Sequence, residues 1–386
     1  MALSLRARHA LASVGLATAL LCPAARAEHD RVPDPPPRST SAKLSAYPRL
    51  DRAVTVSGLS SGGFFAHQFH VTFSSLVQGA AIIGGGPYGC VERIPNPYWP
   101  FASLDRVSAA VVACTHYYGN RFYGLRPARP RVEDSLAVIE TARRRDLVDD
   151  PANLADDRVW LFAGPKDEIV PGDIVATLKA LYDALGVRQV MLEPADAPPA
   201  ANHGMPLATF SGESRFPKRR CDEHRPPYLI VCGYDAAGRL LGFLHGGALR
   251  QATDPHQGGT LIAFDQSEFL DGHGGSMSRV GYVYVPAACA DGGPCRLHVA
   301  FHGCRQNVDS QGPNRVHDDF IRDAGYNPWG AANNIVVLYP QITESGSNPN
   351  GCWDFWGYSG SDYYGRSGRQ MRAVKAMVDR LLGAPN

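Results

Sequence analysis

Ser60 sits in Gly58-Leu59-Ser60-Ser61-Gly62, a G-x-S-x-G pattern whose small residues let a strained serine stand exposed on a sharp turn. A serine hydroxyl becomes nucleophilic only when a histidine takes its proton and a carboxylate holds that histidine in the right tautomer. The pattern therefore requires two partners further along the chain. Asp167, in Gly164-Pro165-Lys166-Asp167, follows the apolar run Arg158 to Ala163 and is the best-placed acid, ahead of Glu168 and Asp173. His203, in Asn202-His203-Gly204-Met205-Pro206, follows the acid by one helix and one strand, unlike its rivals His245, His273 and His302. The chemistry this predicts is acyl transfer through a covalent serine ester, with no metal or cofactor.

The elements needed to position these groups are legible around them. Ala53 to Ser57 is a β-rich run, and Phe64, Phe65, Phe69, Phe73 and Leu76 continue as a helix, so Ser60 lies in a strand, turn, helix unit. Further strands are expected at Gly79 to Gly84, Arg158 to Ala163 and Gln189 to Glu193, with an amphipathic helix over Ile174 to Leu185. Strands resume at Gly281 to Val285, Arg296 to Phe301 and Asn334 to Tyr339, before a closing helix over Gly368 to Leu382. Strands alternating with helices predict an α/β fold, a mostly parallel sheet covered on both faces. We read one catalytic domain over 44–386 with an insertion at 211–278, a separate C-terminal domain being the alternative. His67 and His70, three apart on the first helix, read as ordinary surface or groove residues.

Composition narrows the function classes. The 386 residues carry Lys+Arg 38 against Asp+Glu 37, which offers no electrostatic footprint for nucleic acid or an anionic membrane. Arg6 and Arg8, the apolar stretch Ala10 to Leu21 and Ala25-Arg26-Ala27 read as an export signal over 1–27, its apolar stretch too short to span a bilayer. A Pro-, Arg- and Ser-rich leader follows at 28–43. Of nine cysteines only Cys22 falls within the signal, and the even remainder predicts four disulfides. Proximity pairs Cys289 with Cys295 and Cys221 with Cys232. The protein is expected to be exported, periplasmic or extracellular, and to act as a monomer.

The order of the pieces is unusual. In α/β-hydrolases a His-Gly loop supplying the second oxyanion donor precedes the nucleophile. Here it appears at His302-Gly303-Cys304, after the strand Arg296 to Phe301 and far beyond the histidine. We read this as a circular permutation, with the C-terminal helix ending near the start of the nucleophile strand. The reading demands that the strand before His302 lie in the same sheet as the strand before Ser60, with the Cys304 N–H facing Ser60.

SGLSSGG, GPKD, NHGMP, FHGCRQ after the triad, and NGCWDFWGY near the end together resemble the secreted poly(3-hydroxybutyrate) depolymerases, whose catalytic domain is a circularly permuted α/β-hydrolase. The resemblance covers about 44–382. It implies Ser60 as nucleophile, Asp167 and His203 as its partners, the N–H groups of Ser61 and Cys304 as oxyanion hole, and Trp353 or Trp356 in the substrate groove. Cys304 and Cys352 then border one site, and a bridge between them leaves Cys90 with Cys114. It also implies a polyester or oligoester substrate. Many members add a linker and polymer-binding domain; none is expected here, which favours oligomers or amorphous polymer. An acetyl or feruloyl carbohydrate esterase of the same fold is the alternative, and a non-catalytic binder of granules or glycan a third.

Overall fold

The computed structural model describes residues 42–93, 106–115, 129–193, 198–209, 219–247, 249–251, 258–272, 274–310 and 316–384. The export signal, nearly all of the leader, and His273 lie outside the described residues. No helix among them is long and apolar enough to cross a membrane.

The central sheet uses eight strands. In chain order these are β1 (Leu50–Leu59), β2 (Val77–Ile83), β3 (Arg158–Phe162), β4 (Gln189–Leu192), then β7 (Gly259–Asp265), β8 (Val280–Pro286), β9 (Cys295–Phe301) and β10 (Ile335–Tyr339). A separate pair comprises β5 (Met205–Leu207) and β6 (Leu229–Val231). The spatial order is β4-β3-β2-β1-β9-β10-β8-β7. From β4 to β10 every pairing is parallel, and β8 joins antiparallel to both β10 and β7.

Both faces of the sheet are covered, as near-continuous apolar strands require. Along β3, Val159 and Leu161 enter one core while Trp160 and Phe162 enter the other, the two-residue period of a strand. The first core takes the helices Ser61–Thr72, Val132–Arg144, Gly172–Ala184 and Arg369–Leu382; the second takes Ala236–Leu244 and Tyr326–Asn333. This is the mostly parallel α/β arrangement expected.

The permutation demands that β9 and β1 share one sheet, and they do. β9 lies beside β1, parallel and in register, with Gly58 opposite Phe301. At the other end of β1, the Tyr47 N–H donates to the Leu381 carbonyl at 2.8 Å, so the C-terminal helix stops where β1 begins. A buried network reinforces the β1 to β9 seam. His298 bonds Thr55 Oγ1 through Nδ1 and Ser57 Oγ through Nε2, both at 2.8 Å, and Ser57 reaches the Tyr326 hydroxyl at 2.8 Å.

Two expectations need correction. β7 is an edge strand of the central sheet, so the stretch 211–278 is not wholly an insertion. It escapes sequence reading because only Phe264 along it is fully buried. His67 and His70 are not surface residues: all twelve residues of Ser61–Thr72 are buried. A helix covered on every side has no polar face, and so no periodicity to reveal what its histidines touch. His70 bonds the Tyr182 hydroxyl and Asp157, each at 3.0 Å.

These interior histidines set an acid limit on stability. Burial pushes the imidazoles of His67, His298 and His302 below their ordinary 6.5, His302 to about 4. Below the unfolded value the unfolded chain binds protons that the folded chain refuses. Stability is therefore fully present above that value and is lost as pH falls toward the folded ones, by up to about 1.4 kcal/mol per pH unit for each group. Urea unfolding should show a lower midpoint at about pH 5.5 than at about pH 7.5, and equal midpoints would contradict the assignment.

Candidate active site

Ser60 ends β1 and begins the helix Ser61–Thr72 with φ 57°, ψ −123°, the left-handed region that a non-glycine residue occupies only when its surroundings impose it. The surroundings do so through glycine. A Cβ on Gly58 would overlap the Gly62 carbonyl, and one on Gly62 would overlap the carbonyls of Phe301 and His302. The turn is thus pressed against the end of β9 at the point where chain direction through the sheet reverses, the position at which α/β sheets open a crevice.

Asp167 and His203 are hydrogen-bonded, Oδ2 to Nδ1, at 2.7 Å, with side chains only 3% and 5% exposed. The other carboxylate oxygen, Oδ1, accepts from the backbone N–H groups of Ile169 and Val170 at 2.9 and 2.8 Å. An ionised carboxylate can only accept, so the His203 Nδ1 carries the proton and Nε2 is left as the basic nitrogen. Loop contacts hold the pair in place. The Lys166 N–H donates to the Ala201 carbonyl, Asn202 Oδ1 accepts from the His203 N–H at 2.7 Å, and the Asn202 N–H donates to Cys221.

Gly84, at the end of β2, was not among the sequence-derived candidates. Its φ is 54°, and a Cβ there would lie 3.1 Å from Asp167 Oδ2 and 3.2 Å from His203 Nδ1. Only glycine lets the pair approach the strand end so closely. Gly84→Ala should displace the imidazole and lower kcat about a hundredfold, with the unfolding midpoint changing far less. A variant with kcat within threefold of the parent would show that the contact is not tight.

Ser60, Ser61 and His203 border one cavity of about 650 Å³, together with Gly303 and Cys304 on the loop after β9. Ser61 is the first residue of its helix, where the backbone N–H has no partner one turn earlier. Gln306, buried and also missed by sequence reading, shapes the opposite loop. Its Oε1 accepts from the Gly303 N–H and its Nε2 donates to the Pro227 carbonyl, both at 2.6 Å. The cysteines pair as Cys90–Cys114, Cys221–Cys232, Cys289–Cys295 and Cys304–Cys352, the four pairings expected.

The rival groups are employed elsewhere. His302 is fully buried, donates from Nδ1 to the Gly303 carbonyl at 2.7 Å and accepts at Nε2 from Ile342. His245 caps the end of the helix Ala236–Leu244, away from the cavity. Asp173 pairs with Arg129 in the first turn of its helix, and Glu168 is exposed.

Among known proteins, the chain is 36% identical over 339 residues to poly(3-hydroxybutyrate) depolymerase of Delftia acidovorans, covering 86% of this chain and 60% of that relative. It thus spans less than two thirds of that protein. It is 31% identical over 356 residues to polyhydroxybutyrate depolymerase of Talaromyces funiculosus, covering 88% of this chain and 92% of the other. The chain belongs to the polyhydroxybutyrate depolymerase family. No family model matches it. The crystal structure of PHB depolymerase from Penicillium funiculosum superimposes with a TM-score of 0.71 at 29% identity, covering 89% of this chain and 99% of that one. A variant PHB depolymerase complexed with an R3HB trimer matches equally well.

Against this family background, the two tryptophans part company. Trp356 borders the cavity with Phe64 and Phe355, whose rings stack at 4.4 Å. Trp353 does not: it is fully buried between Phe65, Phe301 and His302 and supports the wall from behind. Sequence could not separate them, since both lie on one short loop. Asp354 between them ties that loop, accepting N–H groups of Trp356, Gly357 and Tyr358 on Oδ1 and both donors of Ser359 on Oδ2. Burial raises its carboxyl above the ordinary range, against the pull of these bonds.

Proposed function

We propose that this protein hydrolyses the ester bonds of poly(3-hydroxybutyrate) and its short oligomers, with Ser60 as nucleophile, His203 as general base and acid, and Asp167 as the group that orients and stabilises the imidazolium. The observation that carries the reading is the buried Asp167–His203 bond on the wall of the cavity that Ser60 enters. Ser60 Oγ attacks the ester carbonyl as His203 Nε2 takes its proton. Negative charge on the carbonyl oxygen is met by the N–H groups of Ser61 and Cys304. His203 then returns the proton to the departing alkoxide, and water repeats the sequence on the acyl-enzyme, releasing the acid and restoring Ser60.

The cavity suits an uncharged, methyl-bearing ester. Phe64, Val107, Ile169, Phe355 and Trp356 supply apolar surface, and no Asp or Glu borders it among the described residues. Trp356 is our assignment for the substrate-contacting tryptophan. Four disulfides fit an oxidising compartment, and we assign the protein to the periplasm or the exterior, acting as a single chain. Product analysis tests the reading. Amorphous poly(3-hydroxybutyrate) and its soluble trimer should be degraded to 3-hydroxybutyrate and short oligomers faster than acetylated sugars or feruloyl esters. The opposite ranking would favour a carbohydrate esterase.

A further inference from the structure

A polyester chain has direction: its acyl side leads to a hydroxyl end and its alcohol side to a carboxyl end. The alcohol side is the leaving group, and the leaving oxygen takes its proton from His203. Whatever lies beyond His203 therefore faces the carboxyl end of the substrate. His224 lies there, on the cavity wall, its ring 5.5 Å from that of His203 and 5.0 Å from that of Tyr228. Burial above all pushes the His224 imidazole down to about 4, and Arg305 borders the same cavity.

Arg305 is built into position. It follows Cys304, whose sulfur is tied to Cys352, and its backbone has φ 63°. Its N–H donates to the Asn350 carbonyl at 2.7 Å and its Nε donates to Asn350 Oδ1 at 2.9 Å, and the two terminal nitrogens take no partner among the described residues. The other arginine on the cavity wall, Arg106, is neutralised by Glu92 at 2.6 Å. Arg305 pairs with no carboxylate among the described residues. An unpaired cation on the wall of a site for an uncharged polymer has no partner in the polymer's interior, but it has one at the polymer's acid end.

Resting on the depolymerase reading, we infer that Arg305 is a specificity-determining residue that binds the terminal carboxylate of short oligoesters, directing cleavage to the bonds nearest the carboxyl end. The (R)-3-hydroxybutyrate trimer, as free acid and as methyl ester, provides the test, because the two differ only in that charge. The free acid should have the higher kcat/KM in the unmodified protein, by about tenfold through KM. Arg305→Gln should collapse the ratio between the two substrates toward one, and Arg305→Lys should restore part of it. High salt should shrink the ratio in the unmodified protein. A ratio near one in the unmodified protein, or one that Arg305→Gln leaves in place, overturns the inference while the depolymerase reading stands. Hydrolysis of neither trimer by protein that still turns over an aryl butyrate overturns both.

Discussion

Ser60→Ala is expected to reduce ester turnover by about a million-fold, to the background left by binding and oxyanion stabilisation alone. The change removes one oxygen and adds nothing. The β1 turn is held by Gly58 and Gly62 against the end of β9, contacts made by backbone atoms that the substitution leaves untouched. Loss of rate with an unchanged unfolding midpoint, and loss of labelling by an organophosphate, would mark Ser60 as the attacking group. Retained turnover or retained labelling would mean that another group carries the acyl intermediate.

Asp167→Asn is expected to lower kcat about ten-thousandfold, and the reason is directional. Two backbone N–H groups, those of Ile169 and Val170, fix an oxygen at the Oδ1 position. An asparagine must satisfy them with its carbonyl oxygen, which turns its amide NH2 toward His203. That group can only donate, so the imidazole must present an unprotonated Nδ1 and carry its proton on Nε2, where it can no longer accept one from Ser60. Stopped or steady-state kinetics on a soluble ester would read the loss, and a kcat within tenfold of the parent would exclude Asp167 from the triad.

What sequence revealed and what it hid divide along physical lines. Ser60 directly follows β1, Asp167 lies on the turn five residues past β3, and His203 falls after β4 and just before β5, so local pattern and chain order suffice to single them out as candidates. The displaced His302-Gly303 loop betrayed the permutation for the same reason. Gly84 and Gln306 were invisible because their roles exist only across the sheet: Gly84 matters for what a Cβ would strike on two other loops, and Gln306 for a clamp between Gly303 and Pro227. Trp353 and Trp356 share one aromatic run, and only packing decides that one faces the cavity while the other is enclosed. The interior position of His67 and His70 was masked by a helix buried on every side.

The junction of Tyr47 with Leu381 has a practical corollary. It sits at the foot of β1, whose first residue, Leu50, is ten residue steps and about 33 Å of strand from Ser60. A surface anchor or passenger joined after the last helix would hang from the underside of the sheet, pointing the cavity that Ser60 borders away from its support.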